Sequence, residues 1–317
     1  MPHVLIAGKL HPAGLALLKG AEAYTYDYVE EVSEPSYAPL IEKADGLVIR
    51  TQPLSAATIA GASRLKIVSR HGVGYDSVDL TALNRRRVPL CVVGDVNSLS
   101  VAEHAMMLIL ASAKRVIRAD RAVRAGPWGW RNRLEASEIS GKRLLIIGFG
   151  RSGRHLAQMA EGFSMEVQAF DPFLAEGGWP VGTVVPAESL AAGLAWADVV
   201  SLHVPKAGRP ILGAKEFACL KPGAIVVNTA RGGIVDEAEL ALALKDGRVV
   251  AAGLDVFDDE PPASGHPLLA FDQVVLSPHI AGLTQQAAER MAVSSVQNVI
   301  DFFAGSLDPD LIVNSDF

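Results

Sequence analysis

Short apolar runs alternate with helix-like patterns along almost the whole chain. In the first third the apolar runs are HVLIAG, GLVIR, LKIVSR and PLCVV, and stretches such as SVDLTALNRRR separate them. Continuous Val, Ile and Leu runs of this length, joined by helices, are typical of parallel strands that are buried on both faces. The first third of the chain therefore predicts an open, parallel α/β sheet.

The same alternation restarts after a long predicted helix from about Ser100 to Val116. The strands predicted in this second series are KRLLIIGFG, EVQAFD, DVVSLHVP, AIVVNTA, VAAGLDVF and VVLSPHIAG. Two series of strands predict two open, parallel α/β domains. Too few residues follow the last predicted helix, Thr284 to Phe303, to form another domain, so we expect this helix to return to the first one. We therefore predict one domain of residues 1–98 plus 285–317 and another of residues 99–284.

Composition and charge narrow the class of protein. The chain has 317 residues, of which 50% are hydrophobic, and this is enough for two domains with sizeable cores. A net charge of −6 argues against binding to nucleic acids or to anionic membranes. The first apolar run is too short for a signal peptide and no run is long enough to span a membrane, so we expect a cytoplasmic protein. We also expect Cys91 and Cys219 to be buried thiols, and we find no spacing typical of a metal site.

The segment LLIIGFGRSGRHLAQMA predicts a phosphate-binding turn. Gly148, Gly150 and Gly153 have the G-x-G-x-x-G spacing between a predicted strand and an amphipathic helix. Glycine is needed where the turn is tight, where the backbone meets a pyrophosphate, and where the helix packs on the strand. Arg151 and Ser152 open that helix and offer free N–H groups to a phosphate. Glycine-rich turns without a ligand are also common, so the prediction depends on the strand before the motif and the amphipathic helix after it.

Asp171 ends the next predicted strand, MEVQAFD. A carboxylate at this distance from the glycine motif can accept hydrogen bonds from the adenosine ribose hydroxyls and would repel a 2′-phosphate. Phe173 and Leu174 supply no cation nearby, so the sequence predicts NAD rather than NADP as the cofactor. The alternative role for Asp171 is a helix cap before Pro172.

Three polar side chains follow three predicted strands of the second series. Arg231 follows AIVVNTA, Glu260 follows GLDVFDD, and His279 follows VVLSP. Ligands bind beyond the carboxyl ends of the strands in an open parallel sheet, where these residues would lie. A guanidinium can grip a carboxylate at two points, an imidazolium can protonate a carbonyl oxygen, and a carboxylate can orient the imidazolium. The set fits hydride transfer to a 2-oxo acid, while Asp258 and Asp259 are interpreted as a solvated loop.

These motifs carry a resemblance that covers nearly the whole chain. GFGRSGRHLA, NTARGGIVDEAEL, GLDVFDDEPP and SPHIAG occur in the order found in the D-isomer-specific 2-hydroxyacid dehydrogenases, which the chain resembles. The resemblance implies a flavodoxin-like substrate domain, a Rossmann NAD-binding domain and a homodimer. It also implies that Arg231, Glu260 and His279 form the catalytic triad, with Arg231 and His279 contacting the substrate.

Further site residues follow from the resemblance alone. Backbone N–H groups of Val73 and Gly74 would hold the substrate carboxylate, and Asp255 matches the position that meets the nicotinamide carboxamide. The remaining positions that the resemblance places along the cofactor are His203, Val204, Pro205, Thr229, Ala230 and Gly282.

Within the family, LVIRTQ, SRHGVGYDSVD and NSLSVAEH are similar to the substrate-side motifs of phosphoglycerate dehydrogenases. Arg70 and His71 are therefore candidate substrate contacts, although Arg70 and Arg50 could instead be surface cations at strand ends. His71 replaces the small residue usual before Gly72, and HVPKAGRP lacks the usual threonine-rich continuation. 3-Phosphoglycerate, hydroxypyruvate, glyoxylate and sulfolactate-like substrates stay open.

Two other functions use related scaffolds. A dinucleotide-sensing binding protein, like the corepressors related to this family, could retain the triad, but the chain lacks disordered arms and a basic bias. Formate dehydrogenase-like enzymes replace the acid of the triad with an amide, whereas this chain has Glu260. His104 and Glu103 lie on a helix with apolar periodicity and are assigned to packing, and Trp128 and Trp130 to a loop anchor.

Overall fold

The structure is a computed structural model that describes residues 1–314. Its strands are β1 His3–Ala7, β2 Thr25–Val29, β3 Gly46–Ile49, β4 Ile67–Arg70, β5 Leu90–Cys91, β6 Arg143–Ile147, β7 Glu166–Phe170, β8 Val185–Pro186, β9 Val199–Leu202, β10 Ala224–Asn228, β11 Val249–Leu254 and β12 Val274–Leu276. Its α-helices are α1 Pro12–Gly20, α2 Glu34–Tyr37, α3 Ala56–Gly61, α4 Leu80–Arg85, α5 Ser98–Lys114, α6 Val116–Ala125, α7 Arg151–Gly162, α8 Pro172–Gly177, α9 Leu190–Trp196, α10 Ala214–Cys219, α11 Glu237–Lys245 and α12 Gln285–Ala304.

The chain forms two compact units, and the first consists of Met1–Asn97 together with the segment that begins at Leu283. Its sheet has the strand order β2-β1-β3-β4-β5, and every neighbouring pair is parallel. This order is the one found in flavodoxin-like folds. The apolar residues of β1, β3 and β4 are buried on both faces of the sheet, which explains why their runs show no alternation.

The last helix, α12, packs on the first unit at two positions that have no side chain. A Cβ on Gly14 of α1 would lie 2.7 Å from the carbonyl oxygen of Ala292. A Cβ on Gly46 of β3 would lie 2.9 Å from Cγ1 of Val299. These glycines let the backbones of α1 and β3 approach α12 closely, so the helix completes the core of the first unit.

The second unit is Ser98–Gly282 and contains a larger sheet. Its strand order is β12-β11-β10-β9-β6-β7-β8, again with parallel neighbours throughout. Starting from β8, this order is that of a Rossmann sheet, with the direction of strand addition reversing between β6 and β9. The prediction of two open parallel sheets, one flavodoxin-like and one Rossmann, is therefore confirmed.

The structure corrects three details of the sequence analysis. β2 was not predicted, because TYDYV lies at the sheet edge and mixes polar with aromatic residues. The long predicted helix, about Ser100 to Val116, corresponds to α5, which ends two residues earlier because Arg115 has a left-handed φ of +55°, and the helix α6 that follows was not predicted. Neither cysteine forms a disulfide, but Cys219 is only partly buried, so the prediction of two buried thiols is wrong for that residue.

Candidate active site

The turn between β6 and α7 carries the three glycines of the predicted phosphate motif. Gly148 has a φ of +91°, and a Cβ there would lie 2.5 Å from the carbonyl oxygen of His203. A Cβ on Gly153 would lie 2.3 Å from the carbonyl oxygen of Gly148, so only glycine lets the helix pack this closely. By contrast, a Cβ on Gly150 would have no described atom within 4 Å. The turn is tightly packed on one side and has open backbone at Gly150.

The helix that follows this turn begins without a side-chain cap. No side chain of the described residues caps α7 at Gly150, so the first-turn N–H groups of Arg151, Ser152 and Gly153 are left without the usual acceptor. Uncapped amides at the positive end of a helix, next to an open backbone surface, suit an anion such as a pyrophosphate. The glycine turn and α7 therefore fit a dinucleotide.

His203 lies against the back of the turn and uses both ring nitrogens. Its Nε2 lies 2.9 Å from Oγ of Ser201, and its Nδ1 lies 3.2 Å from Oγ of Ser152 on α7. Desolvation by burial lowers the pKa of His203 to about 4, so the imidazole is neutral near neutral pH. A neutral ring donates from one nitrogen and accepts at the other, and it links Ser152 to the buried strand β9.

Asp171 follows β7 and fastens two backbone segments. Its Oδ2 accepts a hydrogen bond from the N–H of Phe149 in the glycine turn at 2.9 Å. Its Oδ1 accepts bonds from the N–H groups of Phe173 and Leu174 at 3.1 and 3.2 Å, which caps α8. The alternative role of Asp171 as a helix cap is therefore confirmed, and its contact with an adenosine ribose stays a prediction.

The turn after β10 is shaped by the side chain of Asn228. Its Oδ1 accepts from the N–H of Ala230 at 3.0 Å, and its Nδ2 donates to the carbonyl oxygen of Arg231 at 2.8 Å. The guanidinium of Arg231 donates from Nη1 to the carbonyl oxygen of Ala230 at 2.7 Å. Within residues 1–314 the buried hydroxyl of Thr229 has no hydrogen-bond partner. This hydroxyl can both donate and accept, so it is available to a ligand at this turn.

The acidic loop after β11 packs directly on the Arg231 turn. A Cβ on Gly232 would lie 1.8 Å from the carbonyl oxygen of Phe257, so the two backbones touch. Oδ1 of Asp258 accepts from the N–H of Gly233 at 2.6 Å and closes the contact. The interpretation of Asp258 as a merely solvated residue is wrong, since its carboxylate anchors the turn that carries Arg231.

Glu260 and His279 form an ion pair or hydrogen bond between the loops after β11 and β12. Oε2 of Glu260 lies 2.7 Å from Nδ1 of His279, while Oε1 accepts from the N–H of Phe257 at 3.1 Å. The second contact fixes the carboxylate, and the first fixes the imidazole. Both side chains are about half exposed, at 48% for His279 and 37% for Glu260, so the pair remains open to a ligand.

The backbone around His279 is held by Asp255, whose side chain is fully buried. His279 has a left-handed φ of +52°, and its N–H donates to the carbonyl oxygen of Asp255 at 2.7 Å. The Asp255 carboxylate accepts from the N–H groups of Ile280 and Ala281 at 2.9 and 2.8 Å, and from the Ser277 hydroxyl at 2.5 Å. Three of its four lone pairs are therefore used within the protein, and the nicotinamide carboxamide contact that the resemblance implies stays a prediction.

The substrate residues predicted in the first unit lie at the carboxyl end of β4 and in the loop that follows it. Arg70 ends β4 and is buried, and Nη1 donates to the carbonyl oxygen of His71 at 2.8 Å. Burial, with Arg50 and Arg70 nearby, lowers the pKa of His71 to about 3. Its Nε2 is buried without a hydrogen-bond partner in the described part of the chain. Val73, in the loop that follows, is exposed.

Sequence reasoning missed Asn228, Ser277 and the anchoring role of Asp258. Asn228 is the last residue of an otherwise apolar strand, and Ser277 comes directly after β12. A single polar residue at the end of an apolar strand is a weak signal by itself. In a parallel sheet, however, it marks a side chain that can reach the neighbouring loop at the same edge.

The described residues were searched for a metal site and for a membrane-spanning helix, and neither was found. Residues 1–314 contain no group of three or more His, Cys, Asp or Glu side chains placed to hold a metal ion. Over the same residues, none of the helices combines the length and the apolar character needed to cross a bilayer.

The geometry agrees with what comparison with known proteins finds. Residues 106–281 match the family described as D-isomer specific 2-hydroxyacid dehydrogenase, NAD binding domain. The D-3-phosphoglycerate dehydrogenase of Archaeoglobus fulgidus is 39% identical over 270 residues, which are 84% of this chain and 50% of that protein. The chain therefore spans about half the length of this relative.

Other relatives match over nearly their full length. The glyoxylate reductase of Korarchaeum cryptofilum is 34% identical over 322 residues, which cover 98% of this chain and 96% of that protein. The crystal structure of a D-lactate dehydrogenase from Aquifex aeolicus, complexed with NAD and lactic acid, is 26% identical with a TM-score of 0.86. That match covers 99% of this chain and 100% of the other.

We expect His203 to make the stability of the second unit depend on pH. Its folded-state pKa of about 4 lies below its usual value of 6.5, so the fold favours the neutral ring. The resulting stability is fully present above about pH 6.5 and is lost as the pH falls through about 4. We expect His203→Gln to lose less stability on acidification than the wild type. The loss is measured as the difference between the urea midpoints at about pH 7 and about pH 5.

His155→Gln, which removes a histidine from α7, is the control and should keep the wild-type decline. His71 in the first unit contributes to the decline in all three proteins. If His203→Gln loses as much stability on acidification as the wild type, the buried ring is not the source.

Proposed function

The chain belongs to the family of D-isomer specific 2-hydroxyacid dehydrogenases, and on that basis we propose that it transfers a hydride between NAD(H) and a small D-2-hydroxy acid or its 2-oxo acid. The observation that carries the proposal is the 2.7 Å contact between Glu260 and His279. It lies at the sheet edge to which β10 also brings Arg231. An imidazole held by a carboxylate, with a guanidinium at the same edge of an NAD-binding sheet, is suited to this reaction.

The residues of the second unit fit the cofactor. The open backbone at Gly150 and the uncapped amides of α7 would take the pyrophosphate, and the Thr229 hydroxyl is a further unused contact. NADH, when bound, supplies the hydride. The other residues that we assign to the cofactor are Gly148, Arg151, Ser152, Gly153, Asp171, His203, Val204, Pro205, Ala230, Asp255 and Gly282.

We assign to Arg231 the binding of the substrate's carboxylate and carbonyl oxygen. Its Nη1 donates to the Ala230 carbonyl oxygen, which holds the guanidinium in place next to its own turn. A planar guanidinium presents several N–H donors in a fixed fork and can contact both groups of a 2-oxo acid. The anchoring of this turn by Asn228 and Asp258 keeps that fork in position.

We assign to His279 the transfer of a proton at Nε2. Its Nδ1 faces Glu260, so an Nδ1–H bonded to the carboxylate leaves Nε2 for the substrate oxygen. In reduction the imidazolium gives its Nε2 proton to the carbonyl oxygen, and in oxidation the neutral ring takes the hydroxyl proton. Glu260 stabilises the charged ring and fixes its orientation.

The residues of the first unit favour a substrate that carries an anionic group. Backbone N–H groups of Val73 and Gly74 are our assignment for the substrate carboxylate, with Arg70 and His71 as further contacts. A buried arginine next to a neutral imidazole whose Nε2 has no partner among the described residues favours a negatively charged, hydrogen-bonding ligand. Glyoxylate, hydroxypyruvate and 3-phosphoglycerate meet this condition, and relatives carry the names glyoxylate reductase and D-3-phosphoglycerate dehydrogenase.

We also propose that two copies of the chain form a homodimer through the segment from α5 to residue 134. This segment exposes several large apolar side chains, and Trp128 and Leu134 are 68% and 87% exposed. The others in the same segment are Leu99, Met107, Val116, Ile117 and Val123. Apolar side chains concentrated in one exposed segment are typical of a surface that another protein covers, and we assign it to a second copy.

The proposed reaction is tested by following NADH absorbance with glyoxylate, hydroxypyruvate and 3-phosphohydroxypyruvate. We expect at least one to be reduced, and NADH to be preferred to NADPH because Asp171 would face the 2′-phosphate. Arg231→Lys should lower kcat/KM by about 10²–10³, since an ammonium lacks the two-point grip.

The control is Arg85→Lys, an exposed arginine on α4, which should keep wild-type rates. Tight NADH binding without reduction of any acid would contradict the proposal and indicate a dinucleotide sensor instead.

Glu260→Gln should shift the pH profile of the reaction in a defined direction. The amide keeps a hydrogen-bonding group but removes the charge that stabilises the imidazolium, so the alkaline limb of kcat/KM for reduction should move to lower pH. The shift should be modest, because both side chains are about half exposed to solvent. Asp259→Asn removes the neighbouring exposed charge and should leave the limb in place. Equal profiles for wild type and Glu260→Gln would show that Glu260 does not act through charge.

The dimer is tested by sedimentation equilibrium of the wild type and of a Trp128→Glu, Leu134→Glu variant. The wild type should have twice the monomer mass, and the variant should dissociate because two charges would be buried in the interface. Leu242→Glu changes a 58% exposed leucine on α11 and should stay dimeric. A monomeric wild type, or a variant that dimerises as tightly, would rule out this surface.

A further inference from the structure

His104 on α5 contacts a residue of the candidate active site that is distant in sequence. Its Nε2 lies 2.8 Å from Oγ of Ser277, 173 residues further along the chain. The same nitrogen lies 3.5 Å from Oδ1 of Asp255, and the His104 side chain is 15% exposed. The apolar periodicity of α5 predicts a packing role for His104, and this contact shows that the ring also forms a hydrogen bond.

The hydrogen bonds of this cluster can have only one direction. The Ser277 hydroxyl has a single proton, and it donates this proton to Oδ1 of Asp255 at 2.5 Å. The Ser277 oxygen is then an acceptor for Nε2 of His104, which must carry a proton. The order is therefore His104 N–H to Ser277 O–H to the Asp255 carboxylate, and the last bond is strengthened by the charge.

The carboxylate at the end of this series holds the segment that carries His279. Asp255 accepts from the N–H groups of Ile280 and Ala281 with its side chain, and from that of His279 with its backbone oxygen. His279 has a φ of +52°, a left-handed conformation that is unfavourable for residues with a Cβ atom and that the surrounding structure has to maintain. Turning the Asp255 carboxylate would release Ile280 and Ala281 and let His279 leave this conformation.

We propose that His104 is a positioning residue for His279. Its Nε2–H fixes the Ser277 hydroxyl, the hydroxyl fixes the Asp255 carboxylate, and the carboxylate holds the backbone of residues 279–281. His104 itself contacts neither Glu260 nor the His279 ring in the hydrogen bonds of the described residues. The proposal rests on the proposed function in one respect only, since His279 is taken as the proton donor.

The first test measures the loop and does not depend on activity. Amide hydrogen exchange of the peptide covering residues 278–283 should become about fivefold faster in His104→Leu, the factor expected for one lost hydrogen bond. Ser277→Ala should have the same effect. His104→Gln retains a side-chain N–H and should stay close to wild type. Glu103→Gln, an exposed neighbour on α5, is the control and should not change the exchange rate.

The second test separates positioning from a general loss of structure. With hydroxypyruvate, or the best acid of the panel, His104→Leu should lower kcat about tenfold, since small misplacements of a reacting group cost at least this much. The Kd for NADH, from its fluorescence, and the KM for the acid should change by less than about twofold. The double variant His104→Leu, Ser277→Ala should be no worse than either single variant, because both break the same series.

Three results would overturn the proposal. Unchanged exchange in residues 278–283 of His104→Leu would show that the contact does not hold the loop. Equal damage from His104→Gln and His104→Leu would show that the N–H donor is irrelevant. If the fold-loss of kcat in the double variant equals the product of the losses in the two single variants, the two residues act independently. If the wild type reduces no 2-oxo acid, the proposed function fails, and the exchange measurement still decides the role of His104.

Discussion

The larger sheet is parallel throughout, and the candidate active site depends on this constraint. β10, β11 and β12 are neighbours in the sheet, so their carboxyl ends lie side by side. Arg231, Glu260 and His279 each follow one of these strands and are therefore brought to one edge, although they are well separated in sequence. The glycine turn after β6 opens at the same edge. A change in strand direction at any of these positions would move one group to the opposite edge.

The position of the loops at one edge does not determine the orientation of their side chains. Contacts and hydrogen bonds between the loops hold them in place. Gly232 lets the Arg231 turn touch the backbone of Phe257, and Asp258 closes that contact. Asp255 performs the same task for the His279 segment with a fully buried carboxylate. A buried charge of this kind is tolerated because three donors converge on it. Carboxylates near the catalytic candidates thus differ in role, and Glu260 is the one that lies 2.7 Å from the His279 ring.

Histidines of this chain show how the environment selects a function for one side-chain type. Burial lowers the pKa of His203 to about 4 and that of His71 to about 3, so both rings are neutral near neutral pH. His279 is half exposed, and its Nδ1 lies 2.7 Å from the Glu260 carboxylate, which leaves Nε2 open to a ligand. His104 is partly buried and donates to a hydroxyl. The same ring is therefore neutral and buried, paired with a carboxylate, or bonded to a hydroxyl, according to its neighbours.

The hydrophobic pattern and the motif spacing were enough to predict the fold class and the residues that follow the strands. Apolar runs without alternation require strands that are buried on both faces, and parallel order then follows from the helices between them. The glycine spacing and the strand-end positions of Arg231, Glu260 and His279 could be identified for the same reason. Their roles remain predictions, because spacing in sequence shows which groups share an edge and not what they bind.

Only the tertiary structure decided which partners these residues have. The contacts of His104 with Ser277 and of Gly233 with Asp258 join residues far apart in sequence, and no periodicity records such pairs. The break between α5 and α6 at Arg115 likewise has no glycine or proline to mark it. Hydrophobic burial is a property of each position and leaves a pattern in the sequence. A hydrogen bond between loops depends on the geometry of both, and that geometry exists only once the sheet has formed.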